Sequence, residues 1–397
     1  MSKTAEVKVP LSDLKVGMVV KLPLSWTNHP FLFNRIEIES PSHIELIRTL
    51  DVAYVYLISG IELLPKKVQS ATVAPSLTPQ QLAQEEKAQL RKSLRQGQQR
   101  FTKAANDCRG AFAKLGADPQ GAYRSAATLV EELMDHLKET ETPYLACVDA
   151  GIDISINQHG VSIAVLAMMI AQSLRMNHSQ LRDIAMGALF HDIGKQKVPD
   201  IIRRKKTNLS DHEINFLNMH PQFGYNMLEK SALFPPKVLD IVLHHHEWID
   251  GSGYPHKLQG KQIAVETQVV SLANDFERLL RGEGRSPQVA LGYLFKHRVQ
   301  KHDSALISAL VKVLGIYPPG TLVELTNGDV AKVMVTTSEF KKPIIHCCNI
   351  DGQHSELKFL QQEDLEIKGV IKLEQLSTAA KRVLDASSPV SFYFSTL

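Results

Sequence analysis

Two histidine-bearing dyads and a lone histidine stand close together in this chain. His191-Asp192 lies in Ala188-Leu189-Phe190-His191-Asp192-Ile193-Gly194-Lys195, His220 in Asn218-Met219-His220-Pro221, and His245-His246 in His244-His245-His246-Glu247. Imidazole and carboxylate in this proportion suit first-row transition metals, and the mixture leans towards iron or manganese over an all-sulfur zinc site. The His-Asp pair follows an apolar run, Ile184 to Phe190. Both side chains therefore leave the end of a largely buried segment, where an unpaired carboxylate is costly. The stretch ends in Asp250-Gly251-Ser252-Gly253-Tyr254-Pro255, a loop by composition. Its glycines permit close approach of a substrate.

Taken together, His191-Asp192-Ile193-Gly194-Lys195, His245-His246-Glu247 and Asp250-Gly251-Ser252-Gly253-Tyr254-Pro255 resemble the HD-GYP subgroup of HD-superfamily phosphohydrolases, over residues 140–318. The resemblance implies a helical bundle that hydrolyses cyclic di-GMP, or a related cyclic dinucleotide such as cyclic GMP-AMP, in bacterial second-messenger signalling. The products would be linear dinucleotide or GMP. It also implies a ligand set for divalent transition metals. His159, 32 residues before His191, matches the histidine on the preceding helix, and His191, Asp192, His220, His245 and His246 match the others. Asp192 would bridge, since a carboxylate has two oxygens. Ser155 stands where some members carry a third-metal glutamate, which favours two metals. Two such ions ~3.5–4 Å apart activate water and clamp a phosphate. Lys195, read as one helical turn beyond His191 and on its side, would neutralise a phosphate oxygen. Gly253, Tyr254 and Pro255 would contact substrate.

The sequence departs from this pattern in two further places. The expected aspartate ligand falls on Asn274 in an ungapped match, with Asp275 beside it, and either could coordinate. Adjacent helical residues point ~100° apart, so Asn274 is expected to face the metals and Asp275 to face elsewhere. Many members carry Arg-Pro-Tyr after this helix, where this chain has Gly284-Arg285-Ser286-Pro287. These departures keep an alternative open: a catalytically weakened module that binds metal or dinucleotide and signals through protein partners.

The elements that must position these residues are mainly α. Residues 1–72 read as a small N-terminal α/β module of alternating strands around a helix with Ser40 or Ser42 as N-cap. It resembles the short domain that often precedes HD-GYP domains, and its aromatics Trp26, Phe31 and Phe33 read as core. Residues 73–139 read as linker and amphipathic helices, with Leu82 to Phe112 an exposed helix fit to pack on a partner copy. Residues 140–318 hold the bundle; Ser210 and Glu213 form a capping box whose helix should carry His220 two to three turns on. Residues 319–370 change to β, with Asn327-Gly328 between two runs as a hairpin signal. Residues 371–397 read as a tail with one helical pattern.

Composition narrows the partners. The 397 residues are 44% hydrophobic and 22% charged with net charge +3, which points to neither a nucleic-acid polymer nor a membrane surface. No uncharged apolar run approaches ~18 residues, so no membrane span is expected. Cys108, Cys147, Cys347 and Cys348 form no Cys-x-x-Cys, and the vicinal pair suits no mutual disulfide. Reduced thiols and a cytoplasmic location follow as expectations. A homodimer or a signalling-protein partner fits the exposed helix.

Overall fold

Alternation of apolar and polar residues builds a four-stranded antiparallel sheet near the N-terminus. Strands β1 (Val7–Pro10), β2 (Val19–Lys21), β3 (Arg35–Glu37) and β4 (Tyr54–Ser59) pair in the order β1-β4-β2-β3. One face of these strands is buried, so Val9, Val20, Ile36, Val55 and Leu57 meet Ile47 of helix α1 (Pro41–Arg48) in a core of their own. Ser40 takes the N-cap position of α1 without a side-chain bond. This computed structural model describes residues 7–23, 35–50, 52, 54–60, 63, 79–140, 143–151, 154–203, 205, 209–281 and 286–395. Trp26, Asn28, His29, Phe31 and Phe33 lie outside them, as do Gly284 and Arg285. The chain divides into two units, Met1–Glu85 and Glu86–Leu397. The division falls inside helix α2 (Pro79–Lys114), where the sequence suggested 72/73.

The second unit is built on helices. After α2 come α3 (Pro119–Lys138), strand β5 (Tyr144–Asp149), α4 (Ile156–Ser173) and α5 (His178–Phe190). Then follow the short α6 (Asp200–Arg203), α7 (Asp211–Leu217), α8 (His220–Glu229) and α9 (Pro236–His244), and finally α10 (Val265–Leu280), α11 (Pro287–His297) and α12 (Ser304–Leu314). One core runs through them, with Val161 to Ala171 of α4 almost wholly enclosed. A helix apolar on every side belongs at the centre of such a bundle.

The expectation that α2 is exposed is wrong. Phe101, Ala104, Cys108, Ala111 and Leu115 recur at spacings of three and four and are buried in the main core. The stripe escapes notice because alanine and cysteine supply most of it.

The C-terminal region also differs from the expected hairpin plus tail. β6 (Leu322–Leu325) and β7 (Val330–Val335) do form the hairpin, with Leu322 opposite Lys332 and Gly328 at φ 87°. β8 (Ile344–Cys348), β9 (Glu356–Phe359) and β10 (Ile367–Val370) extend the sheet. The remaining residues form helix α13 (Thr378–Val383) and then strand β11 (Val390–Ser395), which pairs antiparallel with β5 from Val390↔Asp149 to Ser395↔Tyr144. Phe392, Tyr393 and Phe394 are buried in the helical core, and the Phe392 N–H donates to Ser162 Oγ at 3.1 Å. Truncating such a phenylalanine to alanine costs on the order of 3–5 kcal/mol.

Candidate metal centre

Helix ends deliver most of the histidines. His191 is the C-cap of α5, His220 follows the end of α7 and opens α8, and His245 is the C-cap of α9. His220 therefore does not sit inside the helix capped by Ser210: that helix, with its capping box, ends at Leu217. The last carbonyls of a helix lack backbone donors. Here the rings use them. The Nδ1 of His191 lies 2.7 Å from Ala188 O, that of His220 2.7 Å from Leu217 O, and that of His245 2.9 Å from Val242 O. His159 differs, since it lies one turn inside α4; Ser155 caps that helix by accepting from the Gln158 N–H. Its Nδ1 contacts the carboxylate of Glu277 on α10.

Close packing brings these ends together. A Cβ at Gly194 would lie 1.9 Å from His220 O, so only glycine lets the turn after His191-Asp192 rest on the start of α8. Likewise a Cβ at Gly160 would lie 2.8 Å from Leu189 O, which holds α4 tightly against the end of α5.

The chemistry of the centre follows from these anchors. A carbonyl or carboxylate can only accept, so each of the four anchored rings carries its proton on Nδ1 and turns a lone pair inward at Nε2. Burial works against a charge on three of these rings: it holds His159 down to about 4 and depresses His220 and His245. Yet the Nε2 atoms of His159 and His191 approach to 3.2 Å, and those of His220 and His245 also to 3.2 Å. With both protons engaged elsewhere, neither pair can hydrogen-bond. Lone pairs held this close call for a cation, and the residues fit one.

Asp192 stands between the two pairs. Its Oδ2 lies 3.6 Å from His159 Nε2 and 3.5 Å from His191 Nε2. Its Oδ1 lies 3.2 Å from His220 Nε2 and 3.8 Å from His245 Nε2, and forms no hydrogen bond. Two groups of donor atoms result, each within 4.8 Å: His159, His191 and Asp192, and Asp192, His220, His245 and His246. Burial works to raise the Asp192 carboxyl, but the Lys195 ammonium, 2.5 Å from Oδ2, overrides it and holds the group well below the usual range. Lys195 reaches Asp192 because the helix stops at Phe190 and a 3-10 turn, Ile193–Lys197, follows. The α-helical turn expected between His191 and Lys195 is absent.

The next helix separates Asn274 from Asp275. Asp275 Oδ2 accepts from His302 Nε2 at 3.0 Å and lies 3.8 Å from Arg298 Nε. Neither partner belongs to the histidine cluster. Asn274 is buried, and its Oδ1 has no hydrogen-bond partner. Positions three and four residues beyond it share its side of α10. They are Glu277, on His159, and Arg278, whose guanidinium lies 3.4 Å from His246 Nδ1. Asn274 thus belongs to the side of α10 that touches the cluster. Glu277 was missed in the sequence, although it lies one turn from Asn274 and is 1% exposed.

The rim carries the glycine loop. The Tyr254 ring stacks on His246 with centroids 4.6 Å apart, and the Tyr254 N–H donates to His246 O at 3.2 Å. Gly253 is buried and Pro255 half-buried. Glu247, also buried, accepts from the N–H groups of His256 at 2.5 Å and Leu258 at 3.0 Å and so pins the chain just after the loop. His244 points away from the cluster to Asp240 and His256, each at 2.9 Å.

Comparison with known proteins agrees with this geometry. Residues 132–306 match the family described as HD domain, and residues 6–138 match a domain of unknown function (DUF3391). A cyclic di-GMP phosphodiesterase of Pseudomonas aeruginosa is 27% identical, across 82% of this chain and 81% of the relative. A cyclic di-GMP phosphodiesterase response regulator of Xanthomonas campestris is 35% identical, across 37% of this chain and 40% of the relative. A 3'3'-cGAMP-specific phosphodiesterase of Vibrio cholerae is 28% identical, across 37% of this chain and 29% of the relative. With a His-Asp pair inside a buried histidine cluster and a Gly-Tyr-Pro loop stacked on it, residues 132–306 carry an HD domain behind an N-terminal DUF3391 region, and the chain is similar to cyclic di-GMP phosphodiesterases.

Proposed function

We propose that this chain is a metal-dependent phosphodiesterase that hydrolyses cyclic di-GMP, or a closely related cyclic dinucleotide, to linear dinucleotide or GMP. The single observation that carries the reading is Asp192, whose two buried oxygens each face a different group of imidazole lone pairs. His159, His191 and Asp192 would hold one divalent ion, and Asp192, His220, His245 and His246 a second, with Asn274 nearest the role of the remaining ligand. Mixed nitrogen and oxygen donors favour iron or manganese. When bound, two such ions supply Lewis acidity and a water made acidic enough to attack phosphorus.

The chain's own residues do the rest. In hydrolysis the water oxygen bonds to phosphorus and the sugar oxygen leaves as a hydroxyl. Lys195, partly exposed and paired with Asp192, is placed to give its ammonium to a phosphate oxygen as substrate arrives. The Tyr254 ring fixes His246 and offers a wall at the mouth. We assign residues 140–318 as the catalytic region. Four free cysteines, all buried, suit the cytoplasm; among the described residues no helix is long and apolar enough to cross a membrane.

Metal analysis of anaerobically purified protein, paired with a hydrolysis assay on cyclic di-GMP and cyclic GMP-AMP, tests this reading. Two metal equivalents and turnover are expected. Lys195→Ala should cut turnover by on the order of 10²–10³ and leave the metal in place. Metal or dinucleotide binding with no turnover of either substrate would instead support a weakened signalling module.

A further inference from the structure

The last turns of α10 carry two arginines on the side that faces the centre. Arg281 has a carboxylate partner, Glu277, at 3.6 Å, and Arg298 faces Asp275 at 3.8 Å from another segment. Arg278 has no carboxylate partner among the described residues. Its guanidinium donates to His246 Nδ1 at 3.4 Å, on the ring that Tyr254 covers, and its side chain is exposed. A fixed positive charge beside a metal-ligand ring repels the ion that the ring would hold. That placement becomes favourable once an anion lies against both. The charge of Arg278 also acts on Lys195, His246 and Tyr254, so it lies within electrostatic reach of the same mouth. A guanidinium offers a planar fork of donors that matches two oxygens of one phosphate, which an ammonium cannot do.

We propose that Arg278 is a substrate-binding residue whose guanidinium takes the non-bridging oxygens of a phosphate group at the mouth of the centre, beside His246 and Tyr254. This rests on the phosphodiesterase reading above.

The test uses the full chain as R278A, R278K and, for general loss of charge, R182A, whose guanidinium is exposed on Glu131. Metal content, steady-state hydrolysis of cyclic di-GMP and calorimetric binding of inorganic phosphate are measured on each. R278A should keep its metal, raise KM roughly tenfold or more, leave kcat within a few-fold, and weaken phosphate binding by a similar factor. R278K should recover part of the loss, since it keeps the charge and loses the fork, and R182A should match the parent protein. Unchanged KM and phosphate affinity in R278A would overturn the assignment, as would loss of metal in both R278A and R278K. If the parent protein turns over no cyclic di-GMP yet binds phosphate more tightly than R278A, the substrate reading fails while Arg278 stands as a phosphate-binding residue. If it turns over normally and R278A is unaltered, the reverse holds.

Discussion

The two halves of the centre share Asp192 and are braced in different ways. On one side, His220 and His245 each anchor their Nδ1 on a carbonyl three residues back, and His246 completes the set. These anchors are local, made by helix ends that would present such carbonyls anyway. On the other side His191 has the same local anchor, but His159 depends on Glu277, 118 residues away. Burial disfavours a charged Glu277, and His159 is the chief partner that offsets it and holds its carboxyl below the usual range. The first half offers three imidazoles, two of them locally anchored, and a carboxylate oxygen. The second offers two imidazoles, the other carboxylate oxygen, and a neighbouring neutral amide, Asn274, with an unpartnered oxygen. Metal affinity should therefore be unequal, with the His159 side the weaker.

Removing what the halves share should have the largest effect. Asp192→Ala should abolish bound metal and turnover in a folded protein, as read by elemental analysis and circular dichroism; retention of one full equivalent would show that the carboxylate is not shared. Removing one local ligand comes next. His245→Ala should release about one metal equivalent and keep the other, and loss of both would mean that the halves are one site.

The long-range brace is subtler. Glu277→Gln should weaken metal on the His159 side by roughly 10–100-fold, as loss of a partner to a ligating histidine does. Excess metal should restore occupancy, and titration of metal-free protein should resolve this step from an unaltered tight one. An equal shift in both steps would remove the asymmetry.

The smallest change should come from strengthening the weak side. Asn274→Asp should tighten the looser metal by up to about tenfold, because hard divalent ions favour charged oxygen. Asp275→Ala should leave both metal affinities alone. It strands the buried His302, so it should lower stability by about 1–3 kcal/mol in chemical denaturation. The opposite pattern, with metal lost in Asp275→Ala and unmoved in Asn274→Asp, would shift the helix register by one residue.

Much of this was legible from the chain alone, for one physical reason: the features concerned are local. The capping box at Ser210, the Asn327-Gly328 hairpin and the helix ends near His191 and His245 depend on residues within a few positions of one another. So does the separation of Asn274 from Asp275, since adjacent residues on a helix diverge by ~100°. The amino-acid types alone set which atoms could bind a metal. Tertiary structure decided what joins segments far apart. The pairing of Glu277 with His159 and of β11 with β5 leaves no local mark, because a buried carboxylate or a short apolar strand is compatible with many partners until the core closes around one. The same holds for the alanine-rich stripe of α2, whose small side chains become apolar contact only when the neighbouring helices pack against them. Local geometry aimed the histidines, and long-range packing brought their lone pairs to within 3.2 Å of each other.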